Sequence, residues 1–262
     1  MKVGLNALVA VVIGLAVGGA HAAAVSGSGT WETTLQYRDL DGNVANGPEA
    51  FYDTVLDITW LRNANVNMGN NINGNFLYWQ DAVAWANNLV VNGIDGWRLP
   101  TVVDTGSPGC DFNLGGGTDC GYNPQTATSE LAHLYFVSLG NQARCLAGDA
   151  TCAGFPQSGF GLINTGNFQN MQAGYYATGV EYALNPNQSW IFDSRDGLQI
   201  NRDNNSLRYA TVVHAGAIGT ELPFTFPVPV AAPIPEPGSY AMMLLGLGVV
   251  GLLVRRRRAA SA

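Results

Sequence analysis

The feature that most limits how this chain can fold is the apolar segment at each of its ends. Residues 1–22 combine a lysine at the second position, an apolar stretch from Val3 to Ala20 and the small-x-small end Ala20-His21-Ala22. This pattern is typical of a cleaved secretory signal peptide. A retained membrane anchor is the alternative, although no stop-transfer charges follow the stretch. We therefore expect the fold to begin at Ala23.

The C-terminal apolar segment, residues 238–254, lies between a proline motif and an arginine cluster. The flanking residues are Pro235, Glu236 and Pro237 before it, and Arg255, Arg256, Arg257 and Arg258 after it. Seventeen helical residues rise about 25 Å, slightly less than the ~30 Å core of a bilayer. Arginines directly after a membrane helix favour a cytoplasmic C-terminus. The segment therefore predicts a transmembrane helix that holds the rest of the chain across the membrane.

The order proline-glutamate-proline, short apolar helix and arginine cluster, here over residues 235–258, resembles the PEP-CTERM sorting signal of Gram-negative bacteria. The resemblance implies export through the Sec translocon, recognition by an exosortase and cleavage near the Pro-Glu-Pro motif. An exosortase is a membrane protease, so the protein would be anchored in the inner membrane transiently and then reach the cell surface or the extracellular space. A permanent tail anchor is the alternative.

The chain between the two segments is acidic and poor in charge. Only 12% of the residues are charged, Lys2 is the single lysine, and outside the terminal cluster seven arginines face nineteen acids, a net charge of −12. Nucleic-acid binding requires clustered cations that replace condensed counterions, so we expect no nucleic-acid partner. Divalent cations or neutral sugars suit this surface better.

The four cysteines all lie in the part expected outside the cell. An even number of cysteines in an oxidising compartment predicts disulfides. The short spacings favour the local pairs Cys110 with Cys120 and Cys145 with Cys152. A zinc site is disfavoured because no C-x-x-C motif and no histidine pair at ligand spacing occurs.

Hydrophobic periodicity predicts a single α+β domain over residues 23–220, followed by a proline-rich linker, residues 221–234. An amphipathic helix is expected from Trp79 to Leu89, and a second helix begins at Thr128 or Ser129 and stops at Gly140. The expected extended segments are 30–37, 51–61, 174–180, 189–192, 198–201 and 207–213. The last four predict an antiparallel meander.

One ordered set of short motifs spans residues 37–215. The set comprises Tyr52-Asp53-Thr54, Leu56 to Leu61, the helix from Trp79, Gly96 to Thr101, Ser129-Glu130-Leu131, Gly174 to Ala177, Ser189 to Asp193 and Gly197-Leu198-Gln199. It resembles the Lcl C-terminal domain family of bacteria. The resemblance implies a C-type-lectin-like fold, similar also to the formylglycine-generating enzymes, and a role in adhesion or glycan binding. Two departures are the inserted cysteine loop and Tyr176, at a position often occupied by tryptophan.

The most specific motif of this set is Trp97-Arg98-Leu99-Pro100. An arginine between two apolar residues usually pairs with a carboxylate in a scaffold corner, and the proline ends an extended segment. We therefore expect a structural role, with Asp57 or Glu130 as the partner of Arg98.

Acidic residues near the first cysteine pair make calcium a candidate ligand, although no cofactor is firmly indicated. Asp104, Asp111 and Asp119 supply the oxygens that calcium prefers, but their spacing matches no EF-hand, and solvated loop acids explain them equally well. Residues 39–43, Asp-Leu-Asp-Gly-Asn, form a second oxygen cluster or simply a turn.

The sequence contains few residues in arrangements known to support catalysis, and no enzyme activity is expected. No G-x-S-x-G motif occurs, and no serine-histidine pair can be placed. We expect a surface or matrix protein that binds extracellular polysaccharide, with Tyr175, Tyr176, Trp190 and the 201–205 turn as ligand candidates because aromatic rings and amides suit sugars. The alternatives are a formylglycine-generating-like oxidase and a purely structural matrix component.

Overall fold

Two antiparallel sheets and a few short helices form the described part of the protein, which confirms the α+β class. The computed structural model describes residues 23–65, 76–103, 112–153 and 156–223. The predicted membrane helix lies outside these ranges. Among the described residues, no helix has the length and apolar character needed to cross a bilayer.

The first sheet has the strand order β8-β3-β2-β1-β9. Its strands are β1 (Leu35–Asp39), β2 (Ala50–Asp53), β3 (Ile58–Leu61), β8 (Val213–Ala215) and β9 (Thr220–Glu221). The extended segment predicted over 51–61 is instead a hairpin. It turns because the Asp53 carboxylate accepts hydrogen bonds from the backbone N–H groups of Val55 and Leu56, while Asp57 adopts a φ of +53°.

The first half of the strand predicted at 30–37 is also different, because it forms the short helix α1 (Trp31–Thr34). Thr34 donates its N–H to the carbonyl of Thr30, and Trp31 is buried. Packing of this tryptophan therefore overrides the alternating sequence pattern. A one-turn 3-10 helix, Val44–Asn46, follows β1.

The second sheet has the strand order β4-β7-β6-β5. Its strands are β4 (Gly121–Tyr122), β5 (Tyr175–Glu181), β6 (Gln188–Asp193) and β7 (Leu198–Asp203). The meander of β5, β6 and β7 confirms the sequence prediction. The fourth meander strand, predicted at 207–213, does not form. Tyr209 makes only a parallel bridge to Tyr176 in β5, and Val213 then begins β8, which pairs with β3 opposite Trp60.

Both predicted helices are present. Helix α2 (Trp79–Asn88) buries Ala82 and Ala86, as its periodicity predicted. The second helix starts as α3 (Glu130–Ala132), where the Ser129 hydroxyl accepts from the N–H of Ala132. It continues as a π-helix (His133–Ser138), which the sequence did not indicate.

The largest apolar cluster joins the two sheets to the π-helix. Phe51 and Trp60 from the first sheet, Tyr176 and Phe192 from the second, and Leu134 from the π-helix all belong to it. A second cluster packs α2 against the segment around the Trp-Arg-Leu-Pro motif. The sheets therefore share one core.

Candidate functional site

Arg98 and Glu130 form a two-point ion pair that joins two segments of the chain. Nη1 and Nη2 of Arg98 donate to the two carboxylate oxygens of Glu130 at 2.8 and 2.7 Å. The same carboxylate accepts from the backbone N–H of Thr101 at 2.7 Å. Glu130 is thus the partner, whereas Asp57 accepts from the hydroxyl of Tyr52. This planar pairing fixes the motif to the start of α3.

The residues around Arg98 are parts of the scaffold. Trp97 and Leu99 are buried, and Pro100 is buried beside them. The backbone of Arg98 exchanges two hydrogen bonds of 2.9 Å with Val213 in β8. These contacts hold the motif against the edge of the first sheet, so the motif is a structural corner.

Two of the three aromatic ligand candidates lie in the interior. Tyr176 and Trp190 are each only 1% exposed, and the Tyr176 hydroxyl accepts from the N–H of Gln172. Burial also raises the pKa of Tyr176. A sugar stacks only on an accessible ring face, so neither residue can fill that role in this conformation. Tyr175, the third candidate, is half-buried at the surface of β5.

Tyr175 is in contact with Arg195 and Arg202, and the three residues form an arginine-tyrosine cluster. The guanidinium carbons of Arg195 and Arg202 lie 4.3 and 5.1 Å from the centroid of the Tyr175 ring. Nη2 of Arg202 also donates to the Tyr175 hydroxyl at 3.0 Å. Cation-π attraction and this hydrogen bond together hold two cations near one aromatic ring.

The two arginines differ in how they are held. Nε and Nη2 of Arg195 donate to the two carboxylate oxygens of buried Asp193 at 2.8 and 2.6 Å. This hydrogen bonding raises the pKa of Arg195. Arg202 is exposed, and within the described ranges no carboxylate lies within 4 Å of its guanidinium nitrogens. Most of its N–H donors therefore face solvent and are free to bind an anion.

Asp196 lies in the turn beside this cluster. Burial, followed by repulsion from Asp193, raises the pKa of Asp196 to about 6. The Tyr122 hydroxyl donates to Oδ2 of Asp196 at 3.5 Å, a long contact. The turn therefore carries an acid that titrates near neutral pH.

The cysteines form disulfides. Cys145 is bonded to Cys152 across a separation of seven residues, the local pair that the spacing favoured. Cys120 is also disulfide-bonded, while its expected partner Cys110 lies outside the described residues. Within the described part no cysteine is free.

The candidate calcium ligands are only partly described. Asp119 is completely buried, whereas Asp104 and Asp111 lie outside the described residues, so a site in that loop stays a prediction.

The second oxygen cluster folds as a turn. Asp39 and Asp41 accept hydrogen bonds from the backbone N–H groups of Gly42 and Asn43 at 2.8 and 2.7 Å. Ligand oxygens of Asp39, Asp41 and Glu49 lie within 4.8 Å of one another, a spacing that can hold a cation. Burial, followed by repulsion from the two aspartates, raises the pKa of Glu49.

Sequence reasoning missed the two arginines of the arginine-tyrosine cluster. A usable signal was present, because Arg195 and Arg202 flank the predicted strand at 198–201 and are two of only seven arginines in an acidic body. The spacing does not reveal that both reach Tyr175, since this contact depends on the arrangement of three strands.

The comparisons with known proteins concern the C-terminal end. The PEP-CTERM protein-sorting motif matches residues 233–258, which include Glu236 and the four terminal arginines. No curated protein and no solved structure is significantly similar to the chain. The Lcl-type resemblance of the body therefore has no support from a family match. The chain carries an exosortase sorting motif, which implies export and transient anchoring in the membrane before release to the surface.

Proposed function

We propose that the exported body is a non-enzymatic binding domain for extracellular polysaccharide, and that the arginine-tyrosine cluster contacts the sugar. The C-type-lectin-like arrangement implied by the Lcl resemblance belongs to the same proposal. The observation that carries the proposal is the convergence of two exposed guanidinium groups on the half-buried ring of Tyr175.

The chemistry of the cluster favours an acidic sugar. Guanidinium forks bind carboxylates through paired hydrogen bonds, and tyrosine combines an apolar ring with a polar hydroxyl. The rest of the body repels anions because its acids outnumber its arginines. A polysaccharide that carries carboxylates would therefore be attracted to this cluster rather than to the surface in general.

The sorting motif is consistent with this role. It directs the protein to the outside of the cell, where such polysaccharides occur. Cleavage near Pro235-Glu236-Pro237 would also leave the described fold complete, because β9 ends at Glu221 and Leu222 is the last residue buried in the core.

The proposal is tested by binding of the purified exported protein to immobilised polygalacturonate and to neutral dextran. We expect binding to polygalacturonate that weakens with added salt. Arg202→Gln should weaken it roughly five- to tenfold, whereas Arg202→Lys, which keeps the charge, should weaken it less. If the protein binds neither polymer, the binding proposal is wrong and the structural-matrix alternative replaces it.

The oxidase alternative makes a different prediction. It requires a pair of reactive cysteines, so at least one thiol should be alkylated in the native exported protein. Mass spectrometry that finds all four cysteines in disulfides would rule this alternative out, whereas an alkylated native thiol would favour it over a binding protein.

A further inference from the structure

The residues that directly follow the predicted signal peptide are hydrogen-bonded to the folded body, beginning with Ala23. The carbonyl of Ala23 accepts from the N–H of Thr165 at 3.1 Å, and the N–H of Val25 donates to Oδ1 of Asn164 at 2.8 Å. The side chains of Ala23 and Val25 are exposed, but their backbone is engaged. Residues 23–28 form the N-terminal clamp segment.

The side-chain amide of Asn164 binds the clamp segment at Val25 and Ser28 and also binds the body. Its Nδ2 donates to the carbonyls of Leu139 and Ser28 at 2.6 and 3.2 Å, and its Oδ1 also accepts from Gly166 at 2.9 Å. The residue is only 2% exposed. A buried amide with every donor and acceptor used has one orientation, so the clamp segment has a defined place.

The chain beyond the clamp segment is held as closely. The N–H of Thr30 donates to the carbonyl of Ser138 at 2.9 Å, at the end of the π-helix. A Cβ on Gly29 would lie 2.3 Å from that same carbonyl oxygen, so the two backbones approach as near as glycine allows. The predicted scissile bond, Ala22–Ala23, is therefore followed directly by residues of the folded body.

Twelve residues separate the other cleavage site from the last core residue in the sequence. Leu222 donates its N–H to Tyr37 at 3.0 Å and is buried in the core, and the twelve residues 223–234 separate it from Pro235. Twelve residues can span at most roughly 40 Å when fully extended. The Pro-Glu-Pro motif can thus reach a membrane enzyme without any unfolding of the body.

We propose that folding separates the two cleavages in time: the signal peptidase cuts before the clamp segment docks, and the exosortase cut is compatible with the folded body. Proteases bind their substrates as extended strands through the backbone on both sides of the scissile bond. Water adds across the Ala22–Ala23 peptide bond and leaves a carboxylate on Ala22 and an ammonium group on Ala23. A docked Ala23 cannot offer its backbone to the enzyme, so a precursor that folds first keeps its leader. This inference rests on the signal-peptide interpretation.

The test uses full-length precursor that has folded in membranes while signal peptidase is inhibited, and is then purified in detergent. Purified signal peptidase should cut it at least roughly tenfold more slowly than a variant with eight Gly/Ser residues inserted between Ala22 and Ala23. Asn164→Ala should also accelerate the cut, while Asn205→Ala, the same change at an exposed asparagine, should not. Resistance of the body to trypsin shows that each precursor is folded.

The part of the proposal that concerns the exosortase is tested on the same precursor in exosortase-containing membranes. The folded protein should be cut, and deletion of residues 224–231 should slow the cut because the motif then lies close to the body. Equal rates for the wild-type leader and the inserted variant would overturn the proposal. Failure of both to be cut would instead refute the signal-peptide interpretation, and normal exosortase cleavage after the deletion would overturn the part about the spacer.

Discussion

Arg98 and Glu130 lie 32 residues apart in the sequence and are joined by two hydrogen bonds of 2.8 and 2.7 Å. Glu130 also accepts from the N–H of Thr101, so one carboxylate fixes both the extended segment and the first turn of α3. The ion pair therefore positions the second helix relative to the edge of the first sheet.

Glu130→Gln should destabilise the protein by about 2 kcal/mol, because the charged pair and one strong hydrogen bond are lost from a mostly buried carboxylate. Urea unfolding of the exported protein, followed by tryptophan fluorescence, measures this change. Asp57→Asn is the control, since it removes a carboxylate from an exposed residue at which asparagine tolerates the positive φ. Equal effects of the two substitutions would contradict the importance of the pair.

Gly140→Ala should be more harmful than Gly148→Ala. Both glycines have positive φ, +68° and +84°, so both substitutions cost about 1 kcal/mol in backbone strain. At Gly140 the new Cβ would also lie 2.4 Å from the backbone nitrogen of Gly29, whereas at Gly148 no atom lies within 4 Å. We expect a loss of about 3 kcal/mol or more at Gly140 by urea unfolding. Similar losses for both would show that the close approach of Gly29 and Gly140 has no energetic weight.

Replacement of Cys145 and Cys152 by alanine should lower the free energy of unfolding by about 2.5 kcal/mol, the loop-closure value for this spacing. The loss arises mainly in the unfolded chain, so the native structure should persist. Calorimetry of the double variant measures the loss. A reducing agent should lower the melting temperature of the double variant less than that of the wild type, because this bond is already absent. An unchanged melting temperature of the double variant would contradict the prediction.

Asp196 should make the protein less stable at pH 7 than at pH 5. Burial raises the pKa of Asp196 to about 6 in the folded protein, above its ordinary value of 3.8. The folded state therefore favours the protonated acid, and this stabilisation, complete below about pH 3.8, is lost as the pH rises through 6. The residue is partly exposed, so the effect is on the order of 1 kcal/mol.

The matching experiment compares melting temperatures of the wild type and Asp196→Asn between pH 4 and 8. The variant should gain stability relative to the wild type as the pH rises. A constant difference between Asp196→Asn and the wild type across the range would show that Asp196 has no raised pKa.

Local sequence signals predicted the elements that local contacts determine. The helix from Trp79 follows from its apolar spacing, and the second helix starts and stops at Ser129 and Gly140, the residues whose chemistry marks those ends. The strands β5, β6 and β7 are separated by short turns and pair in sequence order. Each of these features depends on residues close together in the chain.

Long-range contacts explain what the sequence did not reveal. Val213 leaves the meander because it pairs with Trp60 and Arg98, both distant in the sequence. Arg208 is completely buried and donates to the Ser189 hydroxyl and to backbone carbonyls. Burial lowers the pKa of Arg208 to about 10. No sequence motif identifies an arginine whose hydrogen-bond acceptors are neutral oxygens. The same limit applies to the contact of Arg195 and Arg202 with Tyr175.

We expect the C-terminal segment, residues 235–258, to be a disposable sorting signal. Proline lacks a backbone donor and disfavours a helix, so we expect Pro235 and Pro237 to leave Glu236 accessible to a membrane protease. We expect the terminal arginines to resist passage across the bilayer. Glu236→Ala should therefore leave an uncut precursor in the inner membrane, while its body remains folded. Replacement of the four arginines should instead disturb retention or topology.

Intact-mass measurement of the exported protein shows whether this segment is removed. We expect a species that ends near Pro235-Glu236-Pro237 and lacks residues 240–262. The Glu236→Ala protein, extracted from membranes, should retain them. A wild-type mature protein that still carries residues 240–262 would show that the segment is a permanent anchor and not a disposable sorting signal.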